Sequence, residues 1–390
     1  MTEETNSKRQ EWINLKKLEI PNFKHQTFIY FCSMKTPSNS VRDCRKYYAN
    51  RLESVYGSSE ANALIMILLE HYFNIDKIKI AMEPELRLSE SELLTLHFAV
   101  KELLKNKPIQ YIIGETEFCG LRFFVNENVL IPRPETEEIV NMIVARKDKE
   151  DVTSRKDKNM SSCKDKNMSS CRDKNMSSCR DKNMSSCRDK ACLVPSGCHI
   201  LDIGTGSGCI AISLAKLLKD SIVTAVDISE KALEVTKKNA EANGVNVRFI
   251  CDDILNPKNP ELIDNQFDII VSNPPYVCES EKSAMRANVL DHEPSTALFV
   301  SDNDPLIFYR KILEFAQKTL KPNGQIWFEI NEKFGKETAA LCREMGFGNV
   351  ENIKDFRGKE RVVRAKAQQN AQFHHPHIGE DLGGFGRGCD

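Results

Sequence analysis

Apolar residues recur at helical spacing over residues 41–107. The clearest stretch is SESELLTLHFAVKELLKNKP, in which Ser89 and Glu92 form a capping-box pattern and Pro108 follows the end. Its apolar face is formed by Leu93, Leu96, Val100, Leu103 and Leu104. A second stretch, SSEANALIMILLEHYF, has the apolar density of a buried helix. We therefore predict a small helical domain over residues 41–108.

The spacing of apolar residues changes from a helical to a strand pattern over residues 109–131. We predict that this segment forms a β-hairpin that serves as a linker. The stretches YIIGETEF and LRFFVNENVLI flank the turn-forming pair Cys119-Gly120. The next stretch, IPRPETEEIV, predicts a helix that begins at Pro134, because proline suits the first helical position and acidic residues favour a helix N-terminus. Arg133 is expected to be extended, since a proline follows it.

Strand and helix patterns then alternate from residue 198 to residue 366. Strands such as HILDIG, IVTAVDI and FDIIVSN are separated by helical stretches such as EKALEVTKKNAEANG. This alternation is typical of a doubly wound α/β sheet. We assign residues 132–366 to that domain.

Three segments are predicted to lie outside the folded domains. Residues 156–187 are four copies of an octapeptide, KDKNMSSC or RDKNMSSC, with too few apolar residues to offset the entropy of ordering. We predict that residues 148–195 form a disordered insertion, although evenly spaced cysteines also allow a metal-binding or redox arm. Residues 1–40 are predicted to be a poorly ordered N-terminus or a transit segment, and residues 367–390 a disordered tail.

The composition narrows the classes of function. Charged residues make up 28% of the 390 residues and the net charge is −1, so nothing in the overall charge calls for a nucleic-acid partner. The longest apolar run, Ala63–Leu69, is far shorter than the roughly 18 residues that span a bilayer. The 14 cysteines include no CxxC pair, which favours reduced thiols over a disulfide framework or a zinc site. We expect no metal and no membrane association.

A glycine-rich turn follows the first strand of the α/β domain. The sequence Asp202-Ile203-Gly204-Thr205-Gly206-Ser207-Gly208 lies where open α/β sheets bind ligands, and glycine lets a ligand approach the backbone. Cys209 stands where the dinucleotide fingerprint would need glycine. The turn instead resembles the S-adenosylmethionine (SAM) loop of class I methyltransferases.

Acidic residues end the next two strands. Asp227 follows the glycine turn by about 20 residues, at a position where a carboxylate accepts hydrogen bonds from ribose hydroxyls. Asp253 could accept from an adenine amino group, and Ile254 could lie on the ring. Each aspartate could instead cap the following helix. The three features together predict a SAM site.

The fourth strand ends in Asn273-Pro274-Pro275-Tyr276. The lone pair of a planar nitrogen is delocalised, so its methylation is helped by two acceptors that hold the NH₂ group. The Asn273 side-chain oxygen and the Pro274 carbonyl are candidates, because proline restricts the backbone. Tyr276 could stack on a planar substrate. In-line positioning, rather than a titrating base, would give the rate gain.

Several longer stretches resemble the HemK/PrmC family, which methylates N5 of the glutamine in the GGQ loop of peptide-chain release factors. They are PIQYIIGETEFCGLRFFVNENVLIPRPETEEIV, ILDIGTGSGCIAISLA, VSNPPYV, EPSTALF, FYRKIL, FEINEKFG and DFRGKERVV. The resemblance covers roughly residues 60–366. It implies a class I SAM-dependent methyltransferase fold, Rossmann-like and doubly wound, with the helical domain recognising the substrate.

The resemblance also implies roles for single residues. The residues expected to hold SAM are Gly204, Thr205, Gly206, Ser207, Gly208, Asp227, Asp253, Ile254 and Asn273. The residues expected to hold the glutamine amide are Asn273, Pro274, Pro275 and Tyr276, of which Asn273, Pro274 and Tyr276 would be catalytic. Arg133, Glu135 and Glu137 lie in the RPETE segment, where a direct role and a structural one are both open.

Two other functions stay open at this point. A DNA or RNA adenine-N6 methyltransferase would use the same NPPY site but needs a basic nucleic-acid face. A non-enzymatic protein could retain the fold. We expect a release factor as partner, no direct nucleic-acid contact, a monomer, and a mitochondrial or otherwise cytoplasmic location.

Overall fold

A computed structural model describes residues 38–161 and 197–368. The described residues belong to two compact units, one ending at Ile113 and the other beginning at Gly114. The predicted transit segment lies almost entirely outside the described residues. Most of the octapeptide insertion (162–196) and the predicted tail from residue 369 also lie outside them.

The first unit is helical. Its helices are α1 (Val41–Tyr56), α2 (Ser58–Phe73), α3 (Lys77–Met82), α4 (Glu90–Leu103) and α5 (Ile109–Ile113). The predicted capping box of α4 is confirmed: the Ser89 hydroxyl accepts from the Glu92 N–H, and the Glu92 carboxylate accepts from the Ser89 N–H at 2.8 Å. Buried leucine, isoleucine and aromatic side chains from α1, α2 and α4 form one core.

The prediction of a strand at Tyr111–Ile113 is wrong. These residues form α5, in which the N–H groups of Tyr111 and Ile112 donate to the carbonyl of Pro108. Tyr111 is buried, and Ile109, Ile112 and Ile113 pack against the helical core. A short apolar run is compatible with either a strand or a buried helical turn. Here the helical turn forms because its isoleucines pack against the helical core. Gly114, at φ 78°, follows the helix end.

The hairpin begins at Glu115, and Gly114 separates it from the end of α5. Strands β1 (Glu115–Phe118) and β2 (Leu121–Phe124) pair antiparallel across Cys119-Gly120. Phe118 and Phe123 are buried in the core of the second unit. The hairpin is therefore part of the second unit, in contrast to the predicted linker, because its aromatic face packs in that core.

The second unit contains a seven-stranded sheet with helices between its strands. Its further elements are α6 (Pro134–Ser161), β3 (Cys198–Ile203), α7 (Cys209–Leu217), β4 (Ser221–Asp227), α8 (Glu230–Asn243), β5 (Val247–Cys251), α9 (Pro260–Ile263), β6 (Phe267–Ser272), β7 (Val277–Cys278), α10 (Ala287–Leu290), β8 (Phe299–Val300), α11 (Ile307–Thr319), β9 (Leu320–Glu329), α12 (Gly335–Glu344), β10 (Gly348–Lys354) and β11 (Glu360–Lys366). The strand order is β10-β11-β9-β6-β3-β4-β5.

The sheet is parallel from β5 to β9 and ends in an antiparallel pair. Strands β3, β4, β5, β6 and β9 run parallel, whereas β11 pairs antiparallel with β9 and β10. The chain order reverses at β3, with β4 on one side and β6 on the other. This is the switch point at which doubly wound sheets bind ligands, and the fold is that of a class I SAM-dependent methyltransferase.

Helix α6 begins at Pro134, as the sequence predicts, and continues to Ser161. It therefore extends into the segment 148–195 for which we predicted disorder, and it includes the start of the first octapeptide. Lysine, arginine and glutamate are good helix formers, so their density after Ala145 favours continuation of the helix.

Candidate active site

A cavity of about 600 Å³ lies at the carboxyl ends of β3, β4, β5 and β6. Its wall includes the turns that follow these four strands, together with the segment 127–133 and residues from 294 to 299. The strand ends meet because β3 pairs with both β4 and β6 in parallel register. The cavity is therefore a product of the sheet topology.

The glycine turn after β3 is held by the neighbouring strand. The N–H groups of Gly204 and Thr205 donate to the carbonyl of Val226, at 2.9 and 3.0 Å. Gly204 and Gly206 have φ of 72° and 56°, and a Cβ on either would meet no atom of the described residues within 4 Å. Both residues line the cavity, with Thr205 and Ser207. The backbone is thus open to a ligand where the predicted SAM loop lies.

Gly208 has a different position from the other glycines. It is absent from the cavity wall, and a Cβ on it would lie 2.5 Å from Cγ2 of Thr236 and 2.8 Å from Cδ1 of Ile212. Its φ is 81°. The structure therefore gives Gly208 a packing role under α7 and α8, whereas the resemblance implies a contact with SAM.

The buried carboxylate of Asp202 holds the glycine turn by hydrogen bonds. Oδ2 of Asp202 accepts from the Thr205 hydroxyl at 2.7 Å and from the Ala211 N–H at 3.2 Å. Oδ1 of Asp202 is buried and has no hydrogen-bond partner in the described part of the chain. Burial raises the pKa of Asp202 to about 7, against its hydrogen bonds, which lower it.

Asp227 lies at the end of β4 and lines the cavity. Its carboxylate accepts from the N–H of Gly206 at 2.8 Å and from the N–H of Ser229 at 2.9 Å. The cap of α8 is Ser229 rather than Asp227, because the Ser229 hydroxyl accepts from Ala232 N. Burial raises the pKa of Asp227, and the backbone hydrogen bonds oppose that shift. Each carboxylate oxygen retains acceptor capacity for a ligand hydroxyl.

The turn after β5 contributes two acidic residues and an apolar one. Oδ1 of Asp253 accepts from the Leu255 N–H at 2.9 Å, while Oδ2 of Asp252 accepts from the N–H groups of Lys258 and Asn259. Ile254 is 9% exposed and lines the cavity with Ile228, which is 64% exposed. This part of the wall offers an apolar surface beside acceptors, as an adenine ring requires.

Asn273, Pro274 and Pro275 line the opposite part of the same cavity. The Asn273 side-chain NH₂ donates to the Thr136 hydroxyl oxygen at 3.4 Å. The preceding residue, Ser272, donates its hydroxyl to the carbonyl of Ile203 at 2.7 Å, which joins the ends of β6 and β3. The predicted cofactor loop and the predicted substrate turn therefore share one cavity.

Tyr276 does not line the cavity. Its hydroxyl donates to Oε1 of Glu329 at 3.1 Å, and its ring packs against the hydrophobic core. Desolvation and the nearby Glu329 charge raise its pKa. The structure therefore places this tyrosine behind the turn, and its predicted stacking on a substrate stays a prediction.

The RPETE segment is held mainly by ion pairs and hydrogen bonds. Arg133 lines the cavity and pairs with Glu293 at 2.6 Å, where the Glu293 side chain is 1% exposed. Glu135 pairs with Arg357 at 3.3 Å. Glu137 accepts from the Cys119 N–H at 3.1 Å. Of the three predicted residues, only Arg133 reaches the cavity.

Three residues of the site escape the sequence analysis. Thr136 and Glu329 form a buried hydrogen bond of 2.6 Å, and Glu293 holds Arg133. Glu329 ends the apolar strand QIWFE, which is the same pattern that marks Asp227 and is a usable signal. Thr136 is one polar residue on a helix, and no local pattern distinguishes it.

The residues present fit SAM. Two glycines leave open space at the backbone, Asp227 offers carboxylate acceptors, and the isoleucines offer an apolar face. Among residues 38–161 and 197–368, no group of three or more histidine, cysteine or acidic side chains is arranged to hold a metal ion. No helix in the same residues is long and apolar enough to cross a membrane.

Two family models match the chain: one described as the PrmC N-terminal domain at residues 43–114, and one described as a methyltransferase domain at residues 195–372. The release factor glutamine methyltransferase of Flavobacterium psychrophilum is 40% identical over 83% of this chain and 98% of its own length. The enzyme of the same name from Bacteroides thetaiotaomicron is 39% identical over 82% of this chain and 97% of its own length.

A solved structure, a release factor-specific protein-(glutamine-N5) methyltransferase from Alicyclobacillus acidocaldarius, is 28% identical and covers 45% of this chain and 83% of that chain, at a TM-score of 0.27. The two sequence relatives match this chain over almost their whole length. This chain belongs to the family of release factor glutamine methyltransferases, which use SAM as the methyl donor.

Proposed function

We propose that this protein transfers a methyl group from SAM to the side-chain amide nitrogen of the glutamine in the GGQ loop of a peptide-chain release factor. One observation carries the proposal: the Asn273-Pro274 turn and the Gly204–Ser207 turn line the same cavity at adjacent strand ends. The family membership supplies the substrate class. A SAM loop beside two fixed amide acceptors is what methylation of a planar nitrogen requires.

The residues divide between cofactor and substrate. Gly204, Gly206 and Asp227 would hold SAM, which supplies an electrophilic methyl group on a positively charged sulfur. Asp253 and Ile254 would face its adenine. The cavity side of the Asn273 amide and the Pro274 carbonyl would hold the glutamine NH₂.

The reaction needs positioning more than proton transfer. With both N–H groups of the substrate held by acceptors, the nitrogen lone pair points out of the amide plane, toward the methyl carbon. The new bond would join that nitrogen to the methyl carbon as the methyl–sulfur bond breaks, and the nitrogen would then release one proton to solvent.

The helical unit is the proposed recognition domain for the release factor, because its region matches the PrmC N-terminal domain. We propose that the enzyme works as a monomer and makes no direct nucleic-acid contact. A mitochondrial location also stays a prediction; it depends on residues 1–40, nearly all outside the described residues, and imaging of a fluorescent fusion with and without that segment would test it.

The test is incubation of the full chain with labelled SAM and candidate release factors. We expect label in the wild-type factor and none in a factor whose GGQ is changed to GGA. Label in both factors would contradict glutamine as the target. Label in DNA or RNA and none in a release factor would favour the adenine-N6 alternative.

A further inference from the structure

A line of three hydrogen bonds lies behind Asn273. Its NH₂ group donates to Oγ1 of Thr136 at 3.4 Å, and the Thr136 hydroxyl donates to Oε2 of Glu329 at 2.6 Å. The other carboxylate oxygen of Glu329 accepts from the Tyr276 hydroxyl at 3.1 Å. Thr136 and Glu329 are 2% and 1% exposed, so water does not compete for these contacts.

The charge state of Glu329 gives this line a direction. An ionised carboxylate only accepts, so Thr136 must use its single proton on Glu329. The Thr136 oxygen can then act toward Asn273 only as an acceptor. Asn273 must therefore turn its NH₂ group toward Thr136, which leaves its carbonyl oxygen for the cavity.

This direction is important because an asparagine amide has nearly the same shape when it is rotated by half a turn. In the rotated state the NH₂ group of Asn273 would face the NH₂ group of the substrate. Two donors would then meet, and the hydrogen bond that holds the substrate nitrogen would be lost.

We propose that Thr136 and Glu329 are positioning residues that keep the Asn273 amide oxygen directed at the substrate. The proposal rests on the proposed function, because it needs a substrate with a planar NH₂ group. Glu329 is absent from the cavity wall; Thr136 lines the wall, and its hydroxyl is directed at Glu329. Because the Thr136 hydroxyl donates its proton to the Glu329 carboxylate, the Thr136 oxygen can only accept a hydrogen bond from Asn273.

The proposal makes the reaction depend on the ionisation of Glu329. A protonated Glu329 could donate to the Thr136 oxygen. The Thr136 hydroxyl could then donate to Asn273, so the direction of both hydrogen bonds would reverse. Burial raises the pKa of Glu329, opposed by its hydrogen bonds from Thr136 and Tyr276 and by Arg361. The titratable and charged groups that interact with Glu329 are Glu135, Cys209, Tyr276, Tyr309 and Arg361. Methyl transfer should fall as the pH decreases through that raised pKa.

Replacements of Thr136 separate positioning from packing. Thr136→Val keeps the shape and removes the hydroxyl, so kcat should fall up to about 100-fold, as for a misplaced reacting group. The Kd for SAM should stay within about twofold. Thr136→Ser should keep most of the activity. Thr338→Val is the matched control, because Thr338 is buried, its hydroxyl has no partner in the described residues, and it lies outside the cavity wall.

Replacement of Glu329 tests the direction itself. A glutamine at this position can accept from only one of its two partners and must donate to the other. Glu329→Gln should lower kcat and remove the decline of activity on the acid side. A variant that loses activity but keeps the wild-type pH profile would contradict the role of the Glu329 charge.

A spectroscopic arm makes the test independent of activity. The Asn273 side-chain NH₂ signal is identified as the one missing from the NMR spectrum of Asn273→Asp. In the wild-type full chain it should shift with pH, and in Glu329→Gln it should not. A wild-type signal that ignores pH, or Thr136→Val and Glu329→Gln enzymes as active as the wild type, would overturn the proposal. A wild type that never methylates a release factor would overturn the proposed function, and the NMR arm would still decide the direction of Asn273.

Discussion

The ends of β3 and β6 lie side by side in the sheet, yet they present different kinds of group to a ligand. Ile203 and Ser272, the last residues of the two strands, are register partners. After β3 the chain offers backbone, in glycines whose missing Cβ atoms leave space for a cofactor. After β6 it offers a side chain, whose orientation depends on residues 137 and 56 positions away in the sequence.

The difference teaches which kind of site a sequence reveals. A backbone site needs special residues at fixed local spacing, so its pattern is visible. A side-chain site needs partners that the fold brings together, so the partners are not visible locally. Four tests, from the largest expected effect to the smallest, would break or sharpen this contrast.

Asn273→Ala should have the largest effect on catalysis. Loss of one fixed acceptor should reduce methyl transfer by about 10²–10³-fold, as for the removal of one group that stabilises developing charge. SAM affinity, measured by calorimetry, should stay close to that of the wild type, because the glycine turn is untouched. Asn246→Ala, at an exposed position outside the cavity wall, is the control. Wild-type turnover in Asn273→Ala would remove Asn273 from the mechanism.

Alanine at two glycines should separate ligand space from packing. Gly208→Ala places a Cβ against Thr236 at a left-handed φ and should lower the free energy of unfolding by about 2–4 kcal/mol. Gly204→Ala meets no described neighbour, so it should destabilise less, by about 1–2 kcal/mol, yet weaken SAM binding more relative to that loss. Thermal unfolding and SAM calorimetry measure both. Unchanged SAM affinity in Gly204→Ala would show that the cofactor does not use this space.

Asp202 should make the stability of the ligand-free protein depend on pH. Its pKa is raised to about 7 in the folded state. A raised pKa means that the protonated carboxyl stabilises the fold at low pH, and that this contribution is lost as the pH rises through the folded pKa. Between about pH 5 and about pH 8 the loss should be about 2–3 kcal/mol, since one pKa unit equals about 1.4 kcal/mol.

Denaturant unfolding of the wild type and Asp202→Asn at these two pH values measures that loss. The difference in stability between the two proteins should change with pH in favour of the variant as the pH rises. A constant difference would show that Asp202 ionises normally in the folded protein.

Glu135→Gln should have the smallest effect. Its partner, Arg357, has a side chain that is 60% exposed, so the ion pair is screened by solvent and is worth about 1 kcal/mol or less. We expect kcat within about twofold of the wild type and a small change in melting temperature. A large loss of kcat would give Glu135 the direct role that the sequence leaves open.

Much of the fold follows from the sequence because its patterns are local. The capping box at Ser89, the start of α6 at Pro134 and the order of strands and helices after residue 198 are confirmed. The apolar run before Gly114 was predicted as a strand and is a helix, since a short buried run has no period of its own and the surrounding core decides its form.

The residues of the site likewise divide into those that local sequence patterns predict and those that depend on tertiary structure. The residues predicted around the cavity from strand ends, among them Gly204, Asp227, Asp253 and Asn273, do line it. Tyr276 and Gly208 lie outside the wall, because ring orientation and helix packing are tertiary properties. Thr136 and Glu329 meet only after the chain has folded, since α6 and β9 are far apart in the sequence.

The central claim is that the β6 end holds the substrate amide while the β3 end holds the cofactor. A crystal structure of the full chain with S-adenosylhomocysteine and a GGQ peptide tests it most directly. The account predicts the glutamine amide nitrogen within hydrogen-bond distance of Oδ1 of Asn273 and the carbonyl oxygen of Pro274, with the sulfur on the Gly204–Ser207 side. A glutamine amide bound elsewhere, or an Asn273 NH₂ group turned toward it, would contradict the account.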